Sequence, residues 1–426
     1  MPTLAIKGGR VVDPSQNLDA VADVLIEDGK VRSIGAAARA DRVIDAKGLV
    51  VCPGLIDMHV HLREPGKEAA ETIASGAAAA IAGGLTTIAA MPNTEPAVDT
   101  EAAAEFVVLQ GKRAGMANVL PIGAVTKGRQ GVELAEMGQL LRGGAVAFSD
   151  DGSPIQNADV MRRALQYAKM FDRAIISHAE DKDIVGSGVM NDGKISMILG
   201  LSGMSRVAEE IMVARDIALA AVTGGKLHIA HISVAGTVEL VRAGKGKGVR
   251  VTAEATPHHF TLTDECVRGY DPVYKMNPPL RTKADVDAVK QGLADGSIDV
   301  IATDHAPHAT EDKEVEFAAA PFGVIGMETL LPLVLTELVH GGVLTLSQAI
   351  AKLTVNPARV LGIAKGTLTP GADADVTILD PGCEWTIDPS RFRSKSRNCP
   401  FAGRKVRGRA VAVVVGGVLH QLESRP

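Results

Sequence analysis

Short apolar runs alternate with segments of helical period along most of this chain, and the runs repeatedly stop on a histidine or an aspartate. The first such run, 49–61, ends Asp57-Met58-His59-Val60-His61. Later runs at 85–91, 119–125, 145–149, 174–177, 227–232, 249–253 and 300–303 have the length and composition of buried strands. Between them, helical patterns cover about 68–82, 100–114, 133–142, 158–171, 203–222, 235–243 and 283–294. Strands alternating with helices imply a parallel sheet, and eight such strands predict an α/β fold of the (β/α)8 TIM-barrel type.

The ends of the chain have a different texture. Runs at 4–12 and 24–31, with Gly-Gly and Asp-Gly turns, read as hairpin strands, and 375–380 and 410–417 resume the same pattern. Both termini are therefore expected to build one small β-sandwich domain, from 1–52 and 363–426, around a catalytic barrel at 53–362. The glycine-rich, polar stretch 182–200 is the expected mobile segment. Within it, Gly188 to Lys194 imitates a phosphate loop, but Ile195 stands where the Mg²⁺-binding hydroxyl belongs and no strand leads in. A surface loop is the simpler reading.

Composition narrows the function. The 426 residues are 46 % hydrophobic and 22 % charged, with a net charge of −5 and 3 % aromatics. Without a basic stripe or interleaved aromatics, nucleic acid is not an expected partner. No apolar stretch reaches the roughly 18 residues of a membrane span, and Met1-Pro2-Thr3 runs into a strand pattern rather than a signal peptide. Cys52, Cys266, Cys383 and Cys399 are scattered, so any metal must be held by imidazole and carboxylate, and reduced thiols in a cytoplasmic protein are the expectation.

Side chains two apart on a strand share a face, so His59 and His61 emerge together, as a chelate requires. The strand ends add Asp150 and Asp151, His178, His231 and Asp304. Four imidazoles and two carboxylates, one of the adjacent Asp150–Asp151 pair and Asp304, exceed the about three ligands of one catalytic zinc. They suggest two metals sharing a carboxylate, which together generate a nucleophile from water at neutral pH. The residues alone leave Asp150 and Asp151 as alternatives for the bridge. His228, three before His231, should face away from it, and so should His305 after Asp304. His258 and His259 are not expected to be ligands. Arg63 shares the parity of His61 if the strand continues, which would aim a guanidinium at a substrate carboxylate. The dull alternative is an ion pair with Glu64.

Several motifs together carry a resemblance: Asp57-Met-His-Val-His-Leu-Arg-Glu-Pro-Gly66, Met91-Pro-Asn-Thr94, Phe148-Ser-Asp-Asp-Gly152, Ala253-Glu-Ala-Thr-Pro-His-His259, Asn277-Pro-Pro-Leu-Arg281 and Thr303-Asp-His-Ala-Pro-His308. With them the chain resembles the amidohydrolase superfamily, and closely the type I bacterial dihydroorotases. That resemblance implies two zinc ions per subunit, one on His59 and His61, the other on His178 and His231, with Asp151 as bridge. Asp304 would bind the first zinc and move the proton. The implied substrate contacts are His61, Arg63, Asn93, Asn277, His308, Phe322 and Gly323. Many relatives, such as hydantoinases and allantoinases, bridge their metals with a carbamylated lysine, and no lysine occurs in the run ending Phe148-Ser149-Asp150-Asp151. The implied activity is the reversible cyclisation of N-carbamoyl-L-aspartate to (S)-dihydroorotate and water, the third step of pyrimidine biosynthesis. Its implied setting is a cytoplasmic homodimer, with association with aspartate transcarbamoylase as a further expectation. The competing readings are a hydantoinase- or allantoinase-type cyclic amidase and a non-catalytic scaffold for the transcarbamoylase.

Overall fold

From Leu55 onward, strands and helices alternate as the apolar pattern predicts. The structure is a computed structural model that describes residues 3–36 and 39–422, so the Met1-Pro2 lead-in lies outside it. The N-terminal strands are β1 (Leu4–Asp13), β2 (Leu18–Glu27), β3 (Lys30–Gly35), β4 (Arg42–Asp45) and β5 (Val50–Pro53). Next come β6 (Leu55–Val60), β7 (Leu85–Ala90), β8 (Asn118–Pro121), β9 (Phe148–Ser149) and β10 (Ala174–Ser177). A short pair, β11 (Met190–Asn191) and β12 (Gly203–Met204), precedes β13 (Lys226–Ile229), β14 (Val251–Ala255) and β15 (Val300–Ile301). The chain closes with β16 (Val376–Thr386), β17 (Lys405–Val415) and β18 (Val418–Gln421).

The fold is mixed α/β. One parallel sheet runs β6-β7-β8 and a second runs β9-β10-β13-β14-β15. Parallel bridges Gly123–Phe148 and Val60–His305 join the facing edges of these two sheets. Helices Ile73–Gly83, Glu101–Ala114, Ala158–Lys169, Val207–Thr223, Ala235–Gly246 and Lys283–Asp295 lie between the strands in sequence. Their starts follow local chemistry: Thr72 and Thr282 form capping boxes with Ser75 and Asp285, and the Asn157 carbonyl caps Asp159 and Val160. Strand residues Leu55, Ile88, Phe148, Ile175, Ile229 and Ile301 share one apolar core with helix residues Ile73, Val107, Leu165, Val213, Val241 and Val289. That packing holds the strand ends in register, which is what the site needs.

Both termini enter one eight-stranded sheet, ordered β18-β17-β16-β5-β1-β2-β3 with β4 on β1. Its own core includes Ile6, Val24, Val51, Val376, Ile378 and Val414. The chain leaves this sheet at Gly54, where a Cβ would lie 2.1 Å from Thr86 Oγ1, so only glycine lets β6 start so close to β7.

Two expectations are corrected. The helix pattern beginning at 203 starts instead at Val207, because Gly203–Met204 pairs with Met190–Asn191. The phosphate-loop look-alike is not a surface loop: Met190, Asn191, Ile195 and Ser196 are buried. Asn191 donates to Asp264 and accepts from Arg281, which also donates to the Met204 carbonyl. Among the described residues, no helix is long and apolar enough to cross a membrane.

Candidate active site

Every residue in the proposed cluster lies at or just past the C-terminal end of a parallel strand, so all reach the same side of the sheets. His59 lies on β6 and His61 just beyond it; Asp151, His178, His231 and Asp304 follow β9, β10, β13 and β15. Asp151 is the hub. Its carboxylate lies 3.4 Å from His59 Nε2, 3.5 Å from His61 Nε2, 3.5 Å from His178 Nδ1 and 3.7 Å from His231 Nε2. Asp304 Oδ1 stands 2.9 Å from His61 Nε2 and 3.5 Å from His59 Nε2. His178 and His231 approach each other at 2.9 Å.

Two groups here are able to hold a metal ion, His59-His61-Asp151 and Asp151-His178-His231, and Asp151 belongs to both. The atoms facing inward fit such ions. His59 Nε2 and Asp151 Oδ1 are buried with no hydrogen-bond partner, which is costly for polar groups unless a cation supplies the missing contact. Burial opposes charge on His59, yet Glu254, Asp151 and Asp304 draw its proton affinity well above the ordinary imidazole value. Burial likewise opposes charge on His178, while Asp151 and Glu180 bring it up to about 10. A cluster that attracts positive charge this strongly suits divalent cations.

A second layer of side chains fixes the inner ones. His59 Nδ1 donates to Glu254 Oε1 at 2.5 Å, which leaves Nε2 with a free lone pair toward Asp151. Burial pushes the Glu254 carboxyl up, but His59 and His228 outweigh it and hold it at about 2. His61 Nδ1 pairs with Asn93 Oδ1 at 2.7 Å, which again frees Nε2 for the centre. Glu180 accepts from Asn277 Nδ2 at 2.6 Å and lies 3.8 Å from His178 Nε2. Arg129 donates to the Asp151 backbone carbonyl and to Ser153 Oγ. Sequence reasoning missed Glu254, Glu180 and Arg129 in these roles; the one available signal was a glutamate inside the short strand β14, Val-Thr-Ala-Glu-Ala.

The two aspartates separate cleanly. Asp150 Oδ1 accepts the backbone N–H groups of Val125 and Thr126 at 2.8 and 3.1 Å, and Oδ2 accepts the Thr126 hydroxyl. It ties the loop after β8 and is turned away from the imidazoles, whereas Asp151 faces all four. The histidines expected to face elsewhere do so. His228 pairs with Thr252 and Glu254, His305 with Glu71, and His259 with Thr256 and the Pro278 carbonyl. His258 is buried, and neither metal-binding group includes it.

Arg63 corrects the parity argument. Strand β6 stops at Val60, so the alternation does not carry to Arg63; its backbone is left-handed at φ 61°. The residue still lines the same cavity as the cluster. Its Nε donates to the Pro307 carbonyl at 3.0 Å, and the neighbouring Glu64 instead accepts the Ile73 N–H at 2.8 Å. The expected alternative ion pair between Arg63 and Glu64 is not what holds either side chain. Asp304 and His231 are also left-handed, at φ 50° and 30°, a conformation that costs non-glycine residues energy and gathers at functional sites.

An open cavity of about 210 Å³ is lined by His61, Arg63, Asn93, Asp151, His178, His231, Asn277, Asp304, His308, Phe322 and Gly323. Within its wall, His308 Nε2 donates to the Phe322 carbonyl at 2.8 Å. Burial and the nearby Arg63 lower His308 to about 3, so it is neutral with Nδ1 available as an acceptor. The Gly323 N–H donates to the Lys275 carbonyl at 3.0 Å, and the Gly323 carbonyl accepts from Asn398 at 3.1 Å.

With this geometry in hand, similarity to known proteins adds independent information. A family model described as dihydro-orotase-like matches residues 48–236, and one for the amidohydrolase family matches 271–420. The dihydroorotase of Pelotomaculum thermopropionicum is 58 % identical over 416 residues, 97 % of each chain. The dihydroorotase of Geobacter sp. strain M21 is 54 % identical over 97 % of this chain and 98 % of its own. Among solved structures, the L-hydantoinase (dihydropyrimidinase) of Arthrobacter aurescens superposes with a TM-score of 0.89 at 28 % identity, covering 100 % of this chain and 97 % of that one. The D-hydantoinase (dihydropyrimidinase) of Thermus sp. gives 0.82 at 26 %, covering 99 % and 96 %.

Proposed function

The chain belongs to the dihydroorotase family and is a cyclic-amide hydrolase, and from that premise we propose how its own residues interconvert N-carbamoyl-L-aspartate and (S)-dihydroorotate plus water. The observation that carries this reading is the Arg63 guanidinium in the wall of the same cavity as the Asp151-centred cluster. A simple hydantoin ring has no carboxylate for such a group to meet; dihydroorotate has one.

His59, His61 and Asp304 would hold one zinc, His178 and His231 the other, and Asp151 both. Bound there, zinc supplies Lewis acidity toward the ring carbonyl and makes water acidic enough to attack at neutral pH. Arg63 would clamp the substrate carboxylate, and Asn93, whose oxygen is engaged by His61, has its amide N–H groups left to help. Asn277, His308 and the Phe322–Gly323 backbone would orient the ring. Asp304 would take the proton from the attacking water and return it to the departing amide nitrogen; ring closure reverses the two transfers.

The same reading takes the joined sheet edges as a closed (β/α)8 barrel over 53–362, with 1–52 and 363–426 folding over their shared core as a sandwich. A cytoplasmic homodimer, alone or with aspartate transcarbamoylase, completes it; sedimentation of the chain with and without that partner tests the assembly. The activity is tested by incubating zinc-loaded protein with N-carbamoyl-L-aspartate and separating the products. Dihydroorotate should accumulate, and an unchanged substrate would refute the reading.

A further inference from the structure

Two lysines lie behind the Phe322–Gly323 wall of the cavity, Lys275 buried and Lys313 half-buried, and among the described residues neither forms an ion pair with a carboxylate. Lys275, 3 % exposed, places its ammonium 4.6 Å from the Phe322 ring centroid and 5.7 Å from that of Phe317. Its one hydrogen bond goes to the Ala318 carbonyl at 2.9 Å. Lys313 uses its Nζ on three backbone carbonyls: Pro321 at 2.7 Å, Pro272 at 3.1 Å and Lys275 at 3.3 Å. An ammonium has three donors, so all of them are spent on main chain.

Those three carbonyls belong to two different segments. Pro321 directly precedes Phe322 and Gly323, while Pro272 and Lys275 lead into Asn277. The Lys275 carbonyl that Lys313 contacts also accepts the Gly323 N–H at 3.0 Å. Both segments are short on regular structure, with only a four-residue helix at Thr310–Lys313 and a single 3₁₀ turn at Pro272–Tyr274. Burial and the nearby Lys275, partly offset by Asp271, lower the Lys313 ammonium to about 7.

We propose that Lys313 is a positioning residue for the substrate, buckling the segment that carries Phe322 and Gly323 onto the segment that carries Asn277. Two sides of the ring-binding wall then hold one spacing before substrate arrives, and less binding energy goes into ordering them. This rests on the dihydroorotase reading, because Asn277, Phe322 and Gly323 touch a ring only if that reading holds. Lys313 itself touches neither substrate nor metal ligands.

The test is Lys313→Met in the full-length, zinc-loaded protein. The KM for dihydroorotate should rise roughly 10–100-fold, the loss expected for a charge-assisted hydrogen bond, with kcat within about twofold. Zinc content should be unchanged. Hydrogen exchange across residues 318–323 should quicken by roughly tenfold or more, which reports on the buckle without reference to activity. Lys313→Gln, which keeps two neutral donors, should give a smaller rise in KM and serves as the test if the methionine variant does not fold. An unchanged KM and unchanged exchange, or a fall in kcat at constant KM, would overturn the proposal. If the unaltered protein fails to turn over dihydroorotate, it is the function reading that falls instead.

Discussion

His59 Nδ1 meets Glu254 Oε1 at 2.5 Å, and both side chains are fully buried. The other Glu254 oxygen lies 3.2 Å from His228 Nε2, so this carboxylate braces the inner face of the cluster from below. Removing its charge should loosen His59 and weaken its ligand nitrogen. Glu254→Gln is expected to lose about 10–100-fold in zinc affinity, as outer-shell partners of metal-bound histidine typically do. Titration against a chelator of known affinity checks this. Unaltered affinity would mean that His59 is held by its strand alone.

The two neighbouring aspartates should part company under mutation. Asp151→Ala removes the carboxylate shared by both groups of imidazoles, and bound zinc should fall well below two per chain. Asp150→Ala instead strands the N–H groups of Val125 and Thr126, at a cost of about 1–3 kcal/mol per buried donor left unpaired, with zinc retained. Elemental analysis and thermal melts of both variants decide the matter. If zinc is lost from the Asp150 variant and kept in the other, the assignment is reversed.

Asp304 Oδ1 stands 2.9 Å from His61 Nε2 and 3.5 Å from His59 Nε2, which places its carboxylate to share their metal and to move a proton beside it. Asp304→Asn keeps the shape and removes the base. Turnover should fall by roughly 10²–10⁴-fold, with the fold and most of the zinc retained. Near-normal kcat would remove Asp304 from the mechanism.

Much of this was legible from alternation and strand ends, because these are local properties. The one-residue spacing of His59 and His61 gives both a nitrogen toward Asp151, and the period-2 rule also turns His228 away from it. Where the backbone stops being a strand, the rule stops too. Arg63 reaches the cavity through a left-handed turn that no periodicity announces, so that expectation met the right place by a different route. Glu254, Glu180 and Lys313 act through partners far away in sequence, and an isolated chain gives no sign of those pairings. The stretch 188–194 reads as a surface loop because its glycines and polar residues look like one, while the contacts that bury Asn191 come from Asp264 and Arg281.

The central claim is that this cavity joins a metal cluster to a carboxylate clamp, and Arg63→Met tests it most directly. Removing one partner of a desolvated charge pair costs about 3–5 kcal/mol, or roughly 10²–10³-fold or more in kcat/KM. The measurement is kcat/KM of the unaltered and Arg63→Met proteins on dihydroorotate, hydantoin and allantoin side by side, with zinc content recorded for each. The unaltered protein should prefer dihydroorotate, and the variant should lose that preference while keeping its zinc and whatever slight activity it has on uncharged rings. Equal losses on charged and uncharged rings, or an unaltered protein that prefers hydantoin, would contradict the account.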